Sequence, residues 1–247
     1  PNFIITGSIA SGTTSLYNYL IQHPNILKSF RKEIYFFDLN YNRGFSWYRS
    51  FFPIQLSNSN FLTCEATATY LRHPLVPERI QKHLPKTKFI VLLRNPIDRA
   101  YGFYQSRVNH GDENLSFEDA IKEEENRLSG EIEKILNDQN YFPSNFYNFA
   151  YLSGGIYYKQ LQHWFKIFPK EQFLILQSEK LFKNPEETLL EITDFLKISS
   201  FTLEKYVQFN AHKYEPLKKS THDELRKYFQ PYNDKLNELL DKNFEWN

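Results

Sequence analysis

The sequence predicts an α/β fold: a single domain with a central parallel β-sheet flanked by helices. Three observations carry the prediction. Phe3 to Thr6, Phe89 to Leu93 and Phe173 to Leu176 are short, continuous apolar runs without alternation, the pattern of strands covered on both faces. Amphipathic helical spacing fills the stretches between them. The first run also passes into Gly7-Ser8-Ile9-Ala10-Ser11-Gly12-Thr13-Thr14, a strand, glycine-rich turn and helix start of the P-loop-like kind, in which backbone amides and a helix N-terminus face an anion.

The other elements follow in order. Phe61 to Cys64 is a fourth, weaker strand candidate. Helical patterns occupy 14–22, 75–83, 96–110, 116–127, 155–168, 186–196 and 222–240. Residues 128–150 are polar and aromatic without a period and read as a surface excursion or lid. Ligands of such sheets bind beyond the carboxyl ends of the strands, so the residues after Thr6, Cys64, Leu93 and Leu176 come first as site candidates.

Composition excludes several classes. The chain has 247 residues, room for one sizeable α/β domain, and a net charge of +1 argues against a nucleic-acid binder with a basic face. No apolar run approaches the ~20 residues that span a bilayer, and no signal-peptide pattern occurs. Because it starts at Pro1 and contains no Met, the chain reads as an excised piece of a longer protein. Cys64 is the only cysteine, so an internal disulfide and a structural Cys zinc site are excluded, and it reads as a small core residue. The 7 histidines show no ligand spacing, and no metal is expected. There is no Gly-x-Ser-x-Gly elbow, which weakens a serine hydrolase reading. The many aromatics are spread along the chain and suit core rather than a binding platform.

Five constellations bear chemistry. In the loop, Gly7 and Gly12 keep the nucleotide-hydrolase spacing, but Thr13 stands where that motif has its lysine and Ala10 does not replace it. Arg94-Asn95-Pro96-Ile97-Asp98-Arg99-Ala100-Tyr101 follows the strongest strand, so Arg94 is placed to fork onto a phosphate; the alternative is a structural Arg94–Asp98 ion pair. Pro96 and Asp98 suit a first helical turn. Arg31-Lys32-Glu33 leads into Ile34-Tyr35-Phe36-Phe37-Asp38. It is either a solvated turn or, since flanking cations and aromatic desolvation pull a carboxylate in opposite directions, a general base. Glu65-Ala66-Thr67-Ala68-Thr69-Tyr70 is either a tight turn or a place where a ligand approaches the backbone. His212-Lys213-Tyr214 with Lys218-Lys219 is either plain surface or a flap over an anion.

Together these segments resemble the sulfotransferases that use 3′-phosphoadenosine 5′-phosphosulfate (PAPS), in the branch of bacterial enzymes and heparan sulfate sulfotransferase domains. The resemblance covers nearly all of 1–247, in order. Gly12-Thr13-Thr14-Ser15-Leu16-Tyr17 looks like the family's 5′-phosphosulfate loop. Lys32-Glu33-Ile34-Tyr35-Phe36-Phe37-Asp38, Gly44, Trp47-Tyr48 and Phe52-Pro53 are similar to a second block. Leu93-Arg94-Asn95-Pro96 with Asp98 to Tyr101 looks like the 3′-phosphate segment. Gly155, Tyr157, Gln160-Leu161, Trp164 and Phe168-Pro169 match a fourth block, and Tyr228-Phe229, Tyr232-Asn233 and Leu236 a fifth.

The resemblance implies sulfuryl transfer from PAPS as co-substrate, without a metal, to a hydroxyl or amine of a carbohydrate or small-molecule acceptor. It makes Glu33 the general base, with Lys32 beside it as a second catalytic residue. Ala10, Ser11, Gly12, Thr13, Thr14 and Ser15 would hold the 5′-phosphosulfate, Arg94 and Gly102 would face the 3′-phosphate, and Lys213 and Tyr214 would close over the donor. The chain departs from the family twice. The family places Lys, sometimes Arg, at Ala10, and a serine at Gly102. Losing one preorganised charge stabiliser costs about 10²–10³ in rate, whereas one hydroxyl contact is worth about 1 kcal/mol. Turnover is thus expected to suffer more than donor binding, with Arg31, Lys32 and Lys213 as replacement cations. The alternatives are a non-catalytic nucleotide- or glycan-binding relative, and a P-loop nucleotide kinase, which the absent lysine after Gly12 opposes. A composition rich in Lys, Asn and Phe suggests an AT-rich genome and a bacterial cytoplasm; an excised eukaryotic domain would instead belong in the Golgi lumen.

Overall fold

The computed structural model describes residues 1–54, 60–210 and 214–246. In chain order the strands and helices are β1 (Phe3–Gly7), α1 (Thr13–Leu20), β2 (Ile26–Lys28), α2 (Phe45–Arg49), β3 (Leu62–Ala66), α3 (Val76–His83), β4 (Lys88–Leu93), α4 (Pro96–His110), α5 (Phe117–Leu128), α6 (Glu131–Asn137), α7 (Ser144–Phe149), α8 (Tyr157–Phe165), β5 (Phe173–Gln177), α9 (Ser178–Lys183), α10 (Pro185–Leu196) and α11 (Lys219–Leu240). Residues group into two compact units, Pro1–Leu93 with Phe165–Ala211 and Arg94–Trp164 with His212–Asn247.

The first unit holds the whole sheet, which is parallel throughout in the order β2-β3-β1-β4-β5. All five residues of β1 are buried, as the unbroken run Phe3-Ile4-Ile5 requires of a central strand. On one sheet face Phe3, Ile5, Cys64, Ala66, Ile90, Leu92 and Leu176 form a single apolar cluster with Leu16 and Leu20 of α1, Leu181 of α9, and Leu189, Ile192 and Leu196 of α10. The period of two puts Ile4, Glu65, Phe89 and Val91 on the opposite face, where Phe89 packs 4.8 Å from both Phe168 and Phe173. Each fully buried Ile, Leu, Val or Phe among them contributes roughly 1.5–3 kcal/mol by burial. Cys64 is in this core, and burial, reinforced by the Glu65 carboxylate, pushes its thiol up to about 12. The parallel sheet flanked by helices is the architecture the sequence predicts. Its order changes direction at β1, which lies between β3 and β4, so the loop after β1 opens at the switch point where such sheets take their ligands.

The second unit is helical. Pro96 opens α4, the Asn95 side chain accepts the Ile97 N–H at 3.0 Å, and Gly111 closes the helix at φ +80°. The Arg99 side chain is almost fully buried, donating from Nη2 to the carbonyls of Ala150 and Tyr151 at 2.8 Å each. Residues 128–150 are not a plain excursion: they contain α6 and α7, and buried carboxylates tie them down. Glu113 accepts from Arg127 and from Tyr151 at 2.9 Å, while Glu131 accepts from Tyr141 at 2.7 Å and Lys134 at 3.2 Å. Burial alone would raise the Glu113 carboxyl; hydrogen bonds from Arg127, the Leu115 amide and Tyr151 overcome this and hold it at about 2.

Gly154 is fixed by that buried arginine. A Cβ there would lie 2.1 Å from Arg99 Nη1 and 2.9 Å from Cζ. Gly154→Ala is therefore expected to displace the guanidinium from its carbonyls and cost about 2–3 kcal/mol. Denaturant titration checks this, and a loss below ~0.5 kcal/mol, the range of neutral surface changes, would show that Arg99 moves freely.

Candidate functional site

β1 delivers the chain into the loop at Gly7, where only glycine fits: φ is +153°, and a Cβ would stand 2.8 Å from Leu71 Cβ and 2.9 Å from the Ala68 carbonyl. Ser8 N–H donates to the Leu92 carbonyl at 2.8 Å, tying the loop to β4. The Ser8 and Ser11 hydroxyls lie 2.5 Å apart, and the Ser11 carbonyl accepts the Ser178 hydroxyl at 2.8 Å. Gly12 then caps α1 at φ +91° without a side-chain hydrogen bond, and a Cβ on it would press the Phe182 ring at 2.7 Å. The N-cap of α1 thus contributes no side-chain hydrogen bond to the first-turn amides, a donor set that suits a phosphate or sulfate. Thr13 is buried and Thr14 half-buried in this turn. Ser15 is fully buried, and its hydroxyl accepts the Phe209 N–H at 2.9 Å, anchoring the segment before residue 210 to α1. Ala10 sits half-buried in the loop at φ +62°.

Glu33 comes to the same unit from the turn before Phe36 and Phe37. Its N–H donates to the Ala66 carbonyl at 3.0 Å, one carboxylate oxygen accepts the Ala68 N–H at 3.2 Å, and the other meets Lys32 Nζ at 2.6 Å. Both side chains of this pair are about three-quarters buried. Burial, the charges of Glu33 and Asp38, and a hydrogen bond to Glu33 drive the Tyr35 phenol far up. Since Ala68 also backs Gly7, the segment Ala66 to Ala68 joins the Glu33 carboxylate to the start of the loop. This is where the stretch Glu65 to Tyr70 belongs: Glu65 and Ala66 end β3, and the tight turn after them serves Glu33 through its backbone.

Beneath it lies a carboxylate that the sequence did not single out. Glu65 is fully buried and accepts from Tyr48, from Tyr70 at 2.8 Å and from Thr67 at 2.8 Å. Desolvation pushes its carboxyl up to about 7 against the pull of these three hydroxyls. That value is above the ordinary 4.5, so between the two the folded protein keeps a proton the unfolded chain has released. The Glu65 contribution to stability is therefore fullest below about 4.5 and is lost as pH rises towards 7, by about 3 kcal/mol. Thermal midpoints across that window should drop for the wild type and stay flatter in Glu65→Gln; parallel curves would place the titration elsewhere.

In the second unit, Arg94, Gly102 and Tyr214 are brought together. A Cβ at Gly102 would lie 3.1 Å from Arg94 Nη1 and 3.2 Å from the Tyr214 hydroxyl, so a serine there would crowd both. Tyr101 packs edge-on against Tyr214 at 5.3 Å and donates to the Glu215 carbonyl at 2.9 Å. The Arg94 carbonyl accepts the Tyr157 hydroxyl at 2.9 Å, and a Cβ at Gly155 would press Pro96 at 3.0 Å and Phe229 at 3.1 Å. Three blocks far apart in sequence thus converge on the start of α4. Lys213 lies outside the described residues. Among those described, no cluster of His, Cys, Asp and Glu could hold a metal ion, and no helix is long and apolar enough to cross a membrane.

Comparison with known proteins identifies the family and the fold. The family described as "Sulfotransferase domain" matches residues 1–237. The chain is 29% identical to the membrane-associated sulfotransferase kil1 of Dictyostelium discoideum, over all of the chain and 66% of that protein. It is 35% identical over 211 residues to the bifunctional heparan sulfate N-deacetylase/N-sulfotransferase 2 of Homo sapiens, covering 81% of the chain and 22% of that protein. The chain therefore spans less than two thirds of either relative. A sulfotransferase crystal structure from Alicyclobacillus acidocaldarius superposes with a TM-score of 0.81 at 27% identity, covering 100% of this chain and 98% of that one.

Proposed function

Because the chain belongs to the sulfotransferase domain family, we propose that residues 1–247 act as one domain that transfers a sulfuryl group from PAPS to a hydroxyl or amine of a carbohydrate or small alcohol. The observation that carries the reading is the Glu33 carboxylate, held by Lys32 and the Ala68 amide in the same unit as the Gly12-capped helix. Glu33 takes the acceptor's proton while the acceptor oxygen or nitrogen bonds to sulfur and the bond from sulfur to the 5′-phosphate oxygen breaks. The amides and hydroxyls of Thr13 and Thr14, with the rigid turn from Ala10 to Gly12, bind the 5′-phosphosulfate. Ser15 supports that turn from below. Arg94, beside Gly102 and Tyr214, is assigned to the 3′-phosphate, and by the resemblance Lys213, outside the described residues, is a further donor contact. With alanine at position 10, Arg31, Lys32 and Lys213 are the candidate cations for charge on the departing oxygen. A carbohydrate amine or hydroxyl is the favoured acceptor, because the human relative is named for sulfation of heparan sulfate.

Sulfur-labelled PAPS incubated with N-desulfated heparan saccharide and with simple alcohols tests this. Label should appear on at least one acceptor in a manner that requires the folded chain. A folded protein that transfers label to none of them would overturn the reading.

A further inference from the structure

We propose that the buried pair Glu65 and Tyr70 is the positioning device that holds the Glu33 turn in its working shape; this rests on Glu33 being the base. Glu33 and Tyr35 both sit in the left-handed region, at φ +57° and +54°, a conformation that side-chain-bearing residues keep only where their surroundings dictate it. On its N-terminal side the turn is fixed by β3 and the segment after it, through the Ala66 carbonyl and the Ala68 amide. On its C-terminal side Asn40 holds the Ile34 and Tyr35 carbonyls and Arg79 the Phe37 carbonyl, while the N–H groups go to one hydroxyl: Tyr70 Oη accepts from Phe36 at 2.9 Å and from Phe37 at 3.2 Å. With both lone pairs used, Tyr70 must give its own proton to an acceptor, and that acceptor is Glu65 Oε1 at 2.8 Å. Tyr48 and Thr67 donate to the same carboxylate and fix its orientation.

None of these groups reaches solvent: Tyr48, Glu65, Thr67 and Tyr70 are all 0% exposed. Glu65 therefore acts through the turn and never touches substrate. A buried carboxylate held by three hydroxyls is a poor source of stability, and an apolar residue of similar shape would serve the core at least as well. What it supplies is polarity, making Tyr70 a double acceptor toward Phe36 and Phe37 and thereby orienting Glu33 three residues earlier.

The test uses Tyr70→Phe, which keeps the ring and removes the hydroxyl, with Glu65→Gln as the milder second variant. Each is made alone and in a Glu33→Gln background. Amide hydrogen exchange reads residues 33–37 against β1 and β4 without needing an acceptor. Labelled transfer to N-desulfated heparan saccharide and the Kd of 3′-phosphoadenosine 5′-phosphate are read alongside. Expected results are exchange at least tenfold faster in residues 33–37 but unchanged in β1 and β4, transfer at least tenfold slower, and donor-product Kd within twofold. In the Glu33→Gln background Tyr70→Phe should add no further loss, because the two act as a unit. Unchanged exchange in both variants, or an equal fall in transfer in both backgrounds, overturns the proposal. If Glu33→Gln itself transfers like the wild type while the exchange effect persists, the base assignment falls instead.

Discussion

Glu33→Gln is expected to slow sulfuryl transfer by about 10²–10⁴-fold while leaving the affinity for 3′-phosphoadenosine 5′-phosphate within a factor of two. Glutamine keeps the shape and can still accept from the Ala68 amide, the 3.2 Å contact that orients the side chain. It can neither take a proton nor pair with Lys32 Nζ. The split between rate and donor affinity separates loss of a base from collapse of the site, since a disturbed loop would weaken both. Steady-state kinetics with labelled donor, together with direct titration of the donor product, measure the two quantities. A variant within threefold of wild-type rate would remove Glu33 from the chemistry.

The second large effect runs the other way. Ala10→Lys is expected to raise transfer at least tenfold, with 10²–10³ as the scale of one preorganised charge stabiliser. Lysine meets no new backbone penalty there, because alanine already places a Cβ at φ +62°. Ala10 is also half-buried rather than sealed in, so a longer side chain has an outlet. An unchanged rate would mean that Lys32, or a cation outside the described residues, already supplies the charge.

How much of this was legible in the sequence depended on whether a residue acts through its neighbours along the chain or across space. Continuous apolar runs marked β1, β4 and β5, because a strand buried on both faces needs no partner to be recognisable. The fourth candidate, Phe61 to Cys64, was placed early and is Leu62–Ala66. β2 was missed: Ile26-Leu27-Lys28 is three residues long and gains its identity only by pairing with β3. The helices α6 and α7 were hidden in residues 128–150 because their anchors, Glu113 and Tyr151 among them, lie outside that window. α2 and α9, of five and six residues, were too short to show a period.

The candidate site divides the same way. The Gly12 turn, Glu33 and Arg94 each stand beside a strand end or within a local motif, and all were named from the sequence. Glu65 was seen only as the start of a small-residue stretch. Its meaning comes from Tyr48, which is 17 positions away, and from Tyr70, whose hydroxyl faces Phe36 and Phe37. The crowding of Gly102 by Arg94 and Tyr214, and of Gly154 by Arg99, likewise required coordinates. The tyrosine closing the stretch Glu65 to Tyr70 was the one signal that could have been read further.

The central claim is that the domain is built around a PAPS-type donor. Isothermal titration of the folded protein with 3′-phosphoadenosine 5′-phosphate tests it most directly, because it needs neither an acceptor nor a competent loop cation. Saturable binding of one molecule per chain is predicted, weakened at least tenfold by Arg94→Ala, which removes a charge-assisted contact to the 3′-phosphate. A folded protein that gives no binding heat and no thermal shift with this ligand would contradict the account.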